Sequence, residues 1–245
     1  MGFNKQDANR LAVRRGSRQS RDPRSRGRRL LRKKLLLAIC VVAGALFAAA
    51  PASAAPSYHY DPTLRVWVHN VLAKASTYEV VPKPVEVRCY NNRQAFELSG
   101  WVRGFDPTSV IAYYMPGSNS IYMRASSCAA AHQFIAGTYT STTVGAFTTL
   151  LHEALHRQGF HNERTTEAYA IASMLTAGQL VQYKINIARG APEGDSAWEA
   201  AGPKGEQVKR IAFNQSNRIV ASNYRTTWAQ IENATADSWD ARLGL

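Results

Sequence analysis

Three scarcities bound this chain of 245 residues before any motif is read. Cysteine is rare, three in all, and no two are closely spaced. That excludes a disulfide-dense scaffold and a zinc ribbon. Long apolar runs are also missing: the longest, residues 35–50, has 16 residues, short of the roughly 20 that cross a bilayer as a helix. Acidic residues are few, 17 against 30 Lys and Arg, a formal net charge of +13. Such a balance would ordinarily point to nucleic acid or an anionic surface. Its distribution removes that reading. Thirteen of the basic residues, but only Asp7 and Asp22, lie in residues 1–54, so the other 191 residues carry a net charge of only +2. No nucleic-acid partner is expected of them.

Residues 1–54 have the plan of an export signal: a basic segment, the apolar run "LLLAICVVAGALFAAA", and a small-residue site at Ala52-Ser53-Ala54. Cleavage after Ala54 is expected, leaving residues 55–245 as one domain, a monomer that is secreted or held at the cell surface. The Ala-rich leader is of a bacterial type, and a membrane contact would come only through an uncleaved leader. Cys40 falls in the leader. Cys89 and Cys128 remain, and outside the reducing cytosol they are expected to form one disulfide.

The spacing of Leu64, Trp67, Val68, Val71 and Leu72 predicts an amphipathic helix over 63–75, after a polar lead-in at 55–63. Residues 84–90 alternate as a strand, and 109–125 read as a hairpin turning at "PGSN". The Ala-rich stretch 126–137 is open between helix and loop. Thr-rich 138–143 offers caps for a helix from 143 to 158, with Val144, Phe147, Leu151, Ala154 and Leu155 as its apolar stripe and Gly159 as its stop. Asn162 can cap the next helix, through "ERTTEAYAIASML". Residues 190–206 read as a loop, and 207–242 as helical with breaks. No internal repeat occurs. The order predicts an α+β fold, with a small antiparallel sheet packed against segregated helices.

The chemistry concentrates in "LLHEALHRQGFHNERTTEAYA", residues 150–170. His152-Glu153-Ala154-Leu155-His156 is HExxH. On a helix the histidines, four apart, share a face and can reach one ion, while Glu153 stands about 100° round the axis, placed to work on a water. A catalytic zinc takes a third protein ligand and keeps a position open. His161, Glu163 and Glu167 compete for that role. The pattern HExxHxxGxxH matches at Gly159, but its third histidine would fall on Asn162, and His161 is one residue early. If the chain reverses at Gly159, the histidine pair lies roughly 7 Å back along the first helix. Glu167 would then lie roughly 7 Å into the second helix and Glu163 only about 1.5 Å. Height therefore selects Glu167, leaving Glu163 as a favourable first-turn carboxylate.

HExxH followed by a glutamate on the next helix resembles the gluzincin branch of the zinc metallopeptidases. "TEAYA", residues 166–170, is similar to the surroundings of the ligand glutamate in gluzincin aminopeptidases. The resemblance implies a zincin-like fold, zinc as cofactor, His152, His156 and Glu167 as ligands, and Glu153 as general base. Only ten residues separate His156 from Glu167, fewer than in thermolysin-like enzymes, so little room is left for a second subdomain. The activity expected is peptide-bond hydrolysis on a peptide or protein substrate, with residues 119–125 as the edge strand that pairs with it. Tyr169, Tyr224 and Arg225 qualify as oxyanion donors by residue type alone. The competing classes are an exported binding protein with a structural metal and a membrane-tethered surface protein.

Overall fold

Asp61 opens the first helix: its Oδ1 accepts from the Leu64 N–H at 2.9 Å, and Pro62 occupies the first turn, where a missing N–H costs nothing. The computed structural model describes residues 57–76, 80–219 and 225–243; the expected leader, residues 1–54, lies outside them. Residues 54–245 make one compact unit. Among the described residues no helix is long and apolar enough to cross a membrane.

The elements in order are β1 (Tyr58–Tyr60), α1 (Pro62–Lys74), β2 (Glu86–Tyr90), α2 (Arg93–Val102), β3 (Ala112–Met115), a 3-10 turn (Pro116–Ser118), β4 (Ser120–Met123), α3 (Ala125–Ile135), α4 (Ser141–Gln158), α5 (Glu163–Ala188), α6 (Asp195–Ile219), α7 (Trp228–Asp237) and α8 (Trp239–Leu243). The fold is α+β, as expected, but the sheet is mixed. Its order is β1-β2-β4-β3, with β2 and β4 parallel and the other two pairs antiparallel. The crossover through α2 returns the chain so that β4 can run beside β2 in the same direction.

Two expectations fall here. The lead-in at 55–63 contains a strand, β1. The strand expected to be free for substrate, 119–125, is β4, which is paired on both sides; the edges are β1 and β3. The hairpin itself forms as read, with Asn119 taking the left-handed conformation (φ 51°) that asparagine tolerates.

One face of the sheet (Val87, Cys89, Ala112, Ile121, Met123) joins the main core with α1, α3, α4 and α5. The other face carries a small aromatic core of Tyr90, Phe96, Tyr113 and Tyr122, closed by Phe96 of α2. Cys89 of β2 and Cys128 of α3 are joined by a disulfide that ties sheet to helix. It closes a loop of 39 residues. Replacing both cysteines by serine is expected to lower the unfolding free energy by about 2–4 kcal/mol. Coincident denaturation curves with and without reductant would contradict this.

The stretch 190–206, read as loop, is mostly helix. After Gly194, α6 begins at Asp195 and runs through Gly202, Pro203 and Gly205. Gly205 serves close approach rather than turning. A Cβ on Gly205 would stand 2.4 Å from the Leu175 carbonyl oxygen, and one on Gly178 would stand 2.8 Å from Val208. The backbones of α5 and α6 can come this near only without side chains at the contact. At the C-terminal end, buried Trp239 donates its indole N–H to the Leu72 carbonyl of α1 at 2.8 Å. Asp240, also buried, accepts from the Ser76 hydroxyl at 2.6 Å.

Candidate metal centre

Thr140 caps α4, accepting from the Thr143 N–H at 3.2 Å, and the helix buries Val144, Phe147, Leu151, Ala154 and Leu155 as the stripe predicts. Gly159 ends it at φ 124°, a conformation that a side chain would strain. Phe160 turns into the core, and Asn162 caps α5 by accepting from the Thr165 N–H at 3.0 Å. The short connection brings the first turn of α5 against the last turns of α4.

There the Nε2 atoms of His152 and His156 lie 3.1 Å apart. The Oε2 atom of Glu163 lies 3.0 Å from the first and 3.4 Å from the second. Bonds of 2.0–2.1 Å to a tetrahedral zinc put neighbouring ligand atoms about 3.4 Å apart. The three atoms thus make a nearly equilateral face of the size that a small divalent cation needs, and they are the group in the site whose ligand atoms converge. No family model, curated protein or solved structure matches the chain. The assignment of the site therefore rests on its geometry.

The remaining ring nitrogens are held from behind. His152 Nδ1 is 2.9 Å from Glu167 Oε2, both residues being buried, and His156 Nδ1 is 2.8 Å from the Phe160 carbonyl. With Nδ1 turned to a carboxylate or a carbonyl, Nε2 is the nitrogen of each ring that faces the converging group, which is how ligating histidines are usually oriented. The structure thus brings Glu163, not Glu167, to the two Nε2 atoms. Both glutamates lie on one face of α5, one turn apart, and both reach His152. Glu163 meets its outer nitrogen and Glu167 its inner one, so the imidazole separates their roles. Height along the helix does not.

Charge follows the same layout. Burial opposes protonation of His152, but the carboxylates of Glu163 and Glu167 more than offset it and raise its pKa. The hydrogen bond from His152 holds Glu163 below the usual carboxylate range. Burial pushes the Glu153 carboxyl up to about 7, against the charge of His152 and the Tyr114 N–H, which donates to Glu153 Oε2 at 2.7 Å. Tyr114 lies on edge strand β3, so strand and carboxylate are fixed to one another. A cavity of about 380 Å³ adjoins the site, with His152, Glu153 and Glu167 in its lining.

Of the other candidates, His161 is exposed and outside the cluster. Tyr169 packs on Phe160, with ring centroids 5.0 Å apart. Arg225 is exposed, and Tyr224 lies outside the described residues. A second convergent group, His59, Asp61 and Cys89, is already committed to structure. Cys89 is in the disulfide, and Asp61 caps α1 while its Oδ2 lies 2.6 Å from His132 Nε2. The parts that sequence reasoning did not show are the approach of Glu163 to the two Nε2 atoms and the grip of Tyr114 on Glu153. Glu163 was visible as a carboxylate seven residues after His156; the Tyr114 contact, 39 residues away, left no sequence signal.

Proposed function

We propose that this protein is an exported, zincin-like zinc peptidase, with His152, His156 and Glu163 as ligands. Glu167 orients His152, and Glu153 is the general base. The observation that carries the reading is the triangle of two Nε2 atoms and one carboxylate oxygen on an HExxH helix, with a carboxylate of near-neutral pKa beside it. A bound zinc would supply a Lewis acid for the scissile carbonyl and acidify the attacking water. Glu153 takes the proton from that water and delivers it to the departing amine. In the metal-free site burial raises its pKa, the direction that makes a carboxylate a better proton acceptor. The Tyr114 N–H keeps the carboxylate aimed while it changes protonation.

Edge strand β3 supports a peptide substrate rather than a smaller one. Since the Ile111 carbonyl accepts from Arg124 on the β4 side, the alternation of an antiparallel pair turns the Ala112 N–H and carbonyl and the Tyr114 carbonyl to the open side, while the Tyr114 N–H is taken by Glu153. An extended peptide can pair there. A structural metal would have no use for Glu153, which argues against a non-catalytic binding protein. The Cys89–Cys128 disulfide supports export, since such bonds persist in oxidising compartments. We keep the protein as a monomer with no nucleic-acid partner.

The test is metal content together with digestion of a mixed peptide pool. The purified protein is expected to hold about one zinc per chain. A chelator should stop cleavage, and added zinc should restore it. Zinc-loaded protein that cleaves nothing in the pool would leave a structural metal site and remove the peptidase.

A further inference from the structure

The cavity beside Glu153 has more to it than room for the reacting groups. We propose that it receives a carboxamide side chain of the substrate, as in glutamine or asparagine, selected by Ser216 and Gln215 of α6; this rests on the peptidase reading of the neighbouring site.

The walls are largely apolar. Val110, Ile111 and Ala112 contribute from the approach to β3 and Ala212 from α6. Thr148 and Thr149 of α4 also line the space, but their hydroxyls are already spent on their own helix, donating to the Val144 carbonyl at 2.8 Å and the Gly145 carbonyl at 3.0 Å. Two polar groups remain unused. Ser216 is 5% exposed, and its Oγ has no hydrogen-bond partner among the described residues. It does not turn back to the carbonyl four residues earlier, as Thr148, Thr149, Thr166 and Thr235 all do. A buried hydroxyl left this way is available to a partner from outside the described residues. Gln215, half-buried beside it, likewise makes no hydrogen bond among the described residues through its amide. Its place depends on Gly145: a Cβ there would come within 3.2 Å of Gln215 Cγ.

Chemistry then selects among side chains. No Lys or Arg lines the cavity, its His152 is already engaged by Glu163 and Glu167, and the Glu153 and Glu167 carboxylates face the same space, so an acidic side chain finds repulsion without a cation of its own. Those carboxylates are engaged by the Tyr114 N–H and by His152, and a basic side chain would lose its water against a neutral hydroxyl and a neutral amide. An aliphatic side chain would leave Ser216 and Gln215 unsatisfied. A carboxamide offers donor and acceptor together, matching both. Sites built to hydrogen-bond a substrate discriminate strongly against analogues that lack the group.

Two measurements test this. In the metal-free protein, titration with propionamide is expected to move the backbone amide NMR signals of Gln215 and Ser216. Sodium propionate should not move them, and Ser216→Val should abolish the response. An equal response to both probes, no response at these residues, or a response unchanged in Ser216→Val overturns the proposal. In the zinc-loaded protein, peptides that differ in one residue near the cleaved bond (Gln, Leu, Glu or Lys) are compared by kcat/KM. The Gln peptide is expected to lead the Leu peptide by roughly tenfold, and Ser216→Val to level the two. Cleavage without that preference removes the pocket assignment and leaves the peptidase standing. If no peptide is cleaved, the peptidase reading falls, and the propionamide titration decides the pocket by itself.

Discussion

Glu153→Gln is expected to cut peptide hydrolysis by about 10³-fold while leaving the zinc content of the protein unchanged. The substitution keeps the side chain's shape and its acceptor for the Tyr114 N–H, and it touches none of the three converging ligand atoms. What it removes is the capacity to take a proton, and positioned acid–base groups contribute about 10²–10⁴ in rate. The measurement is kcat/KM on a peptide cleaved by the wild type, with elemental analysis of the same sample. A variant as active as the wild type would take Glu153 out of the mechanism; one that loses its metal would make it a ligand.

The second large effect separates the two glutamates of α5. Structural zinc sites are worth about 10–16 kcal/mol over four ligands, so each ligand carries on the order of 3 kcal/mol. Glu163→Ala should therefore weaken zinc binding by about 10²–10³-fold. Glu167→Ala removes only the group behind His152, a loss of about 10–100-fold. Stability should run the other way. Glu167 is buried against a buried ring nitrogen, so its removal is expected to destabilise the metal-free protein by about 1–3 kcal/mol, whereas Glu163 is more exposed and should matter less. Competitive zinc titration and denaturation of the metal-free variants read the two effects separately. If Glu167→Ala releases the zinc and Glu163→Ala keeps it, the ligand order is the reverse of the one proposed here.

The contrast between these residues also marks how far the sequence was legible. Helix α4 could be read almost end to end, because its threonine cap, apolar stripe and terminal glycine all act within a few residues. The start of α5 at Asn162 was as plain, for the same reason. Which glutamate faces which nitrogen depends on how α4 and α5 cross, and no local rule contains that. Helix α6 was hidden by its own composition. Gly202, Pro203 and Gly205 ordinarily mark a loop, and the nearness of α5 explains Gly205 as a contact residue. Strand β1 and the mixed pairing of β2 with β4 depend on partners about 30 residues away. The same holds for His132, a scattered histidine in the sequence that is held by buried Asp61 in the fold, 71 residues away. The Ser216 hydroxyl is legible only as a missing bond, which no sequence can display.

The bonds from Trp239 to Leu72 and from Ser76 to Asp240 span 167 and 164 residues. A ribosome adding about 5–20 residues per second needs on the order of ten to thirty seconds to make that much chain. Helix α1 thus emerges long before the residues that fasten its C-terminal end. The clasp cannot close until that later stretch has been made, and α1 waits unlatched for the whole interval.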